Sequence, residues 1–194
     1  MQVSLIGAPT DIGASTVGCR LGPGALRLAG ISTAIEAFGH EVVDLGDLDG
    51  PANPETGPVD GYRHLDEVVE WNSMLRDAVY AEVEKGRLPI VLGGDHSLAM
   101  GSVAAVAKYC RDNGKQFRLL WFDAHADYNT SGTTPTGNLH GMPVAVLAGL
   151  GPQPLVELAG HVPAVNKDDI RQIGLRSVDI DEKGLIAEHR IECF

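Results

Sequence analysis

An apolar run, Leu119 to Phe122, stops abruptly at Asp123-Ala-His-Ala-Asp127, and no other junction restricts the possible fold so much. A short continuous apolar run bounded by turn chemistry reads as a buried strand of a parallel sheet. Asp123, His125 and Asp127 follow at i, i+2 and i+4, a spacing that in extended backbone sends all three side chains to one side. Two carboxylates and an imidazole would then converge past the carboxyl end of a strand, where open α/β sheets place their ligands. Such a group is costly to desolvate unless a cation compensates it, and a hard or borderline divalent metal suits its donors. The run Leu88-Pro-Ile-Val-Leu92 ends in the same manner, in Gly93-Gly94, and delivers Asp95 and His96. Glycines there permit a sharp turn and close approach. This predicts His96 at the same sheet edge, on a strand adjacent to the first, with Asp95 as a capping or supporting carboxylate.

The rest of the chain alternates in type. Val3–Ile6, Glu41–Asp47 and 169–178 read as further strands. Helical patterns cover Gly24–Phe38, Leu65–Lys85, Ser97–Asn113 and Gly141–Leu150, and a last helix starts at Glu182. Strands alternating with helices imply one domain over residues 1–194, a three-layer α/β/α arrangement on a mostly parallel sheet. Gly50 to Tyr62, rich in Pro and Gly, reads as a surface loop within that domain.

Composition excludes several classes of function. With 15 Lys and Arg against 26 Asp and Glu, the net charge of -11 disfavours nucleic acid or an anionic membrane as partner and leaves room for a cationic substrate. Cys19, Cys110 and Cys193 are odd in number and lack metal-binding spacing, so they read as buried or incidental thiols. No apolar run approaches the roughly 18 residues of a membrane span, and the start carries no basic leader, which predicts a cytoplasmic protein. His40, His64, His161 and His189 have no acidic or cysteine partners at ligand spacing and are expected at the surface.

Four motifs, Gly93-Gly-Asp-His-Ser, Asp123-Ala-His-Ala-Asp, Gly137-Asn-Leu-His-Gly-Met-Pro and Ile173-Gly-Leu-Arg-Ser-Val-Asp, occur in an order that resembles the ureohydrolase family, its arginase branch above all. The resemblance runs over essentially the whole chain. It implies an arginase-like fold and hydrolysis of L-arginine to L-ornithine and urea by a metal-bridging hydroxide. His96, Asp123, His125 and Asp127 would ligate two Mn2+ ions, with Asp123 shared between them. Asp127 would also relay a proton, and His140 would act as proton shuttle. Asn129 and Thr136 would meet the substrate's α-carboxylate, Asp179 its α-amino group, and Glu182 would help to orient it, although Ile180-Asp181 departs from the family's usual Pro-Gly. The family also implies a homo-oligomer, trimer or hexamer, and a small guanidino substrate. Agmatinase or another amidinohydrolase of guanidino acids shares the metal motifs and is the competing activity.

A third metal motif of the family, Ser-Phe-Asp-x-Asp-x-x-Asp-Pro, does not occur before Phe194. The expectation is therefore an arginase-like fold truncated at its C-terminal side, with a second ion weakly held or absent, little turnover by the chain alone, and an unpaired strand edge beside an uncovered apolar face. A catalytically inactive remnant that binds a partner is the reading of another class.

Overall fold

Six strands, all paired in parallel, form two sheets instead of one. The computed structural model describes residues 1–194. In the first sheet β1 (Gln2–Ala8) lies between β2 (Glu41–Asp47) and β3 (Leu88–Gly93); in the second, β5 (Ile170–Ile173) lies between β4 (Leu119–Phe122) and β6 (Glu192–Cys193). The α/β class and the parallel pairing are as expected. The adjacency of β3 and β4 is not, since these strands belong to different sheets and each presents an edge with no strand beside it.

Alternation along β1 sets the layers of the first sheet. Val3 and Leu5 point to one face and pack with Leu92 against Ile31 and Ile35 of α2 (Ile31–Ala37), while Ile6 and Ala8 join the main core on the other face. That core is built on α3 (Leu65–Glu84) and α4 (Ala99–Asp112), with Val68, Leu75, Met100 and Ala105 fully enclosed. β4 is covered on one face only. Leu119 and Trp121 are buried, but Leu120 is 52 % and Phe122 70 % exposed, so the expected fully buried strand is half open.

Other boundaries move for local reasons. The helix expected over Gly24–Phe38 is two helices, α1 (Gly22–Leu28) and α2, because Gly30 turns left-handed at φ 84° between them. The strand expected over 169–178 stops at Ile173, where Gly174 takes φ 92°. Instead of one helix over Gly141–Leu150 there is a 3₁₀ turn, Leu139–Gly141, and the short α5 (Pro143–Leu147), with α6 (Gln153–Val156) beyond. The last helix, α7, spans Ile180–His189 and gives way to β6. The histidines expected at the surface are at least partly covered. His64 is buried, its two ring nitrogens 3.0 Å from the carbonyl of Ile12 and 2.9 Å from that of Thr56.

One charged group is fully enclosed between α3 and β1. Glu82, 2 % exposed, accepts from Ser4 Oγ at 2.5 Å, Lys85 Nζ at 2.6 Å and Arg87 Nη1 at 2.8 Å. Burial alone would push its carboxyl up, yet the bonds from Lys85, Ser4 and Arg87 outweigh burial and hold it at about 2 instead of 4.5. A carboxyl depressed on folding adds stability above its unfolded pKa and loses it as pH falls through the folded one. Denaturant titrations are therefore expected to show stability declining from about pH 4.5 to about pH 2, and Glu82→Gln should flatten that decline while lowering stability at neutral pH. An unchanged acid limb in the variant would show that Glu82 is not the group responsible.

Candidate metal centre

The residues after β3 turn back across the end of β1. Gly94 takes φ 38°, and a Cβ there would stand 2.5 Å from the carbonyl oxygen of Thr10 and 2.7 Å from that of Ala8. Asp95 then closes the turn. Its Oδ1 accepts from Ser97 N and its Oδ2 from Gly13 N, both at 2.9 Å, so it is the capping carboxylate that its place in the motif predicts. His96 opens the 3₁₀ turn ahead of α4 and stacks on Trp121, with ring centroids 4.2 Å apart at 21°.

The Asp123–Asp127 segment is bent, not extended. Asp123 Oδ1 accepts from the backbone N–H of His125 at 2.9 Å, folding the chain back on itself, and Asp127 takes the left-handed conformation at φ 49°. The bend, more than the i, i+2, i+4 spacing, aims the two carboxylates at one point. Asp123 Oδ2 and Asp127 Oδ2 each lie 2.9 Å from His96 Nδ1, and one ligand atom from each of these three residues falls within 4.8 Å of the others. His125 stands outside that group, its side chain 62 % exposed and its Nδ1 3.3 Å from the other oxygen of Asp123.

Charge and burial compete here. Burial would lower the pKa of His96, but Asp127 and Asp123 outweigh it and raise it; Asp123 is lowered against its own burial by the His125 N–H and both imidazoles. Asp127 Oδ2 is buried and accepts no well-aligned hydrogen bond; its near polar neighbour is the His96 imidazole, 2.9 Å away. An enclosed carboxylate oxygen without a well-aligned hydrogen bond, close to a second carboxylate and an imidazole, is the arrangement a divalent cation would satisfy, and the donors suit a first-row ion.

These groups form one wall of a cavity of about 340 Å³ that also holds His140, Asn129, Thr136, Asp179 and Glu182, so the residues that the family resemblance assigns to metal, proton transfer and substrate line one space. Asn129 Nδ2 is 3.5 Å from Asp179 Oδ2, and its buried Oδ1 has no donor. Thr136 Oγ1 accepts from Asn138 N at 3.2 Å. Asp179 and Glu182 cap α7 reciprocally, and Glu182 Oε1 also accepts from Tyr128 N at 2.7 Å. Burial raises the Glu182 carboxyl above its usual range. Glu182 thereby ties the residue after Asp127 to α7.

Sequence reasoning missed Trp121, Tyr128 and Ser177. Trp121 lies two residues before Asp123, and the buried face of β4 could have pointed to it; Ser177 lines the cavity and stands inside the Ile173–Asp179 motif, which could have pointed to it. Tyr128 is wholly buried, 3.0 Å through its hydroxyl from His189 Nδ1, and burial pushes its phenol up to about 12.

The Arginase family profile matches residues 1–194. The chain belongs to the arginase family. An arginase of Staphylococcus aureus (strain COL) is 40% identical over 195 residues, which cover 99% of this chain and 63% of the relative. A crystal structure of arginase from Bacillus cereus superposes with a TM-score of 0.91 at 40% identity, over 100% of this chain and 64% of that one. An arginase of Entamoeba histolytica, solved in complex with L-ornithine, matches at TM-score 0.89 and 35% identity, again covering 100% of this chain and 64% of the other. The chain thus spans a little under two thirds of the arginases it resembles, and the arginase-like fold holds along its whole length. None of its helices is long and apolar enough to cross a membrane.

Proposed function

We propose that the chain carries an arginase centre, which hydrolyses the guanidinium of L-arginine to give L-ornithine and urea at manganese. The observation that carries the reading is the cluster of His96, Asp123 and Asp127, one ligand atom from each within 4.8 Å of the others, in the wall of a cavity lined by polar side chains. These three residues would hold one ion, and Asp123 with His125 would reach toward a second. When bound, a divalent cation supplies the Lewis acidity that makes water nucleophilic at neutral pH. Asp127 can accept a hydrogen bond from the attacking water and pass its proton to the leaving nitrogen as the guanidinium C–N bond breaks. His140, in the same cavity, can exchange a proton with solvent.

Asn129 and Thr136 offer an amide and a hydroxyl to the α-carboxylate, and Asp179 a carboxylate to the α-amino group. A family member solved with L-ornithine supports this choice of substrate. The family resemblance supports a homo-oligomeric assembly.

Urea release by the full 194-residue chain, with and without added manganese, tests the proposal. Manganese-dependent cleavage faster on arginine than on agmatine is expected. Calorimetry is expected to read one strong manganese site per chain. Preference for agmatine would overturn the roles of Asn129 and Thr136, and two equally strong sites would overturn the ligand count.

A further inference from the structure

A second hollow lies away from the candidate metal centre. It is a cavity of about 740 Å³ at the end where β4 and β5 begin, formed by the last turn of α4 and the segments leading into the two strands. Arg118 precedes β4 and Asp123 follows it, so the hollow and the metal centre occupy opposite ends of one strand.

Three cations and one carboxylate line it, Arg111, Lys115 and Arg118 against Asp169, in a chain whose net charge is -11. Arg20, Arg27, Arg76, Lys85, Arg87, Lys108 and Arg171 all contact carboxylates. The three cations of the hollow contact none, as do Arg63, Lys167, Arg176, Lys183 and Arg190 elsewhere; what sets the three apart is that they converge on one concave wall. Lys115 lies 4.6 Å over the Tyr109 ring and donates to its hydroxyl, whereas the guanidinium groups of Arg111 and Arg118 have no hydrogen-bond partner in the protein. Phe117, Val162, Pro163 and Val165 supply apolar wall between them.

We propose that this hollow is a binding site for a small organic molecule that carries at least two negative charges on an apolar body. A guanidinium presents a planar fork of donors that matches carboxylate and phosphate alike, and a concave wall concentrates its field. The carbonyl end of α4 opposes an anion, so the affinity must come from the side chains.

The test uses the isotope-labelled, metal-free full chain, so that no probe acts by chelating manganese. Backbone amide shifts are followed while pyrophosphate or, separately, tricarballylate is added. Saturable shifts confined to residues 107–118 and 161–169 are expected, and the tighter probe identifies the anion as phosphate or carboxylate. The double variant Arg111→Gln with Arg118→Gln should weaken binding about tenfold or more, with the fold kept because both side chains are exposed. A control pair at other exposed cations, Arg176→Gln with Lys183→Gln, should leave it unchanged. Equal weakening by both pairs, or no localised shifts, would overturn the proposal. So would a change of sedimentation in the Arg111/Arg118 variant with neither probe bound, which would assign the hollow to a contact between copies of the chain.

Discussion

Asp127→Asn is expected to weaken manganese binding by roughly 100-fold, about 2.7 kcal/mol, and to reduce urea release with it, while leaving the melting temperature of the metal-free chain nearly unchanged. The size follows from the place of the oxygen removed. Asp127 is 6 % exposed, and its Oδ2 lies 2.9 Å from His96 Nδ1 and accepts no well-aligned hydrogen bond. Loss of a partner that merely supports a metal ligand already weakens affinity about 10- to 100-fold, and a charged ligand should reach at least the upper end. Asparagine is the informative replacement because Asp127 sits at φ 49°, a conformation that asparagine tolerates and alanine resists. The backbone is then undisturbed, and the Asp127 carbonyl still accepts from Val144 N at 3.0 Å. Equilibrium dialysis with manganese and a thermal melt separate the two effects. Unchanged affinity would remove Asp127 from the ligand set, and a large fall in melting temperature would make its role structural.

Much of this site was legible because its chemistry sits where apolar runs end. Leu88–Leu92 and Leu119–Phe122 announce strands, and the polar residues directly after them, His96, Asp123 and Asp127, do meet. α3 was legible for a similar reason, since its apolar residues recur at helical spacing over its whole length. Features that depend on distant partners were not. Nothing local tells that β3 and β4 belong to separate sheets, because pairing is decided by which strands lie beside them. Leu120 and Phe122 are as apolar as Leu119 and Trp121, so the sequence alone could not reveal that one face of β4 is open. Asp127 turns left-handed in a segment held by Glu182 from α7, more than 50 residues later in the chain. The spacing argument brought Asp123 and Asp127 together through an extended geometry that the chain does not adopt, and it placed His125 with them, which the bend leaves outside.

Gly101→Ala and Gly184→Ala are expected to change stability in opposite directions, although both replace a glycine inside a helix with the best helix former. A Cβ on Gly101 would stand 2.3 Å from the backbone oxygen of Asn72 and 2.9 Å from its Cα, and helical backbone cannot move aside as a flexible side chain can. Asn72 is fully buried and already fixes this contact, its Oδ1 accepting from Gly101 N at 2.7 Å and its Nδ2 donating to Val68 O at 2.8 Å. Overpacking of this kind costs about 3 kcal/mol, which outweighs a propensity gain of about 1 kcal/mol. The net loss should lower the melting temperature by roughly 4–8 °C in a chain of this size. Gly184 has nothing within 4 Å of the same added atom, so the propensity gain there is unopposed and a small rise is expected. Because α4 begins just after the turn that carries His96, displacing it from α3 also moves that imidazole relative to Asp123 and Asp127. Manganese affinity should therefore fall in Gly101→Ala and hold in Gly184→Ala. If both variants are stabilised, α3 and α4 do not pack as closely as the Gly101–Asn72 contact requires, and the framework that positions His96 is looser than described.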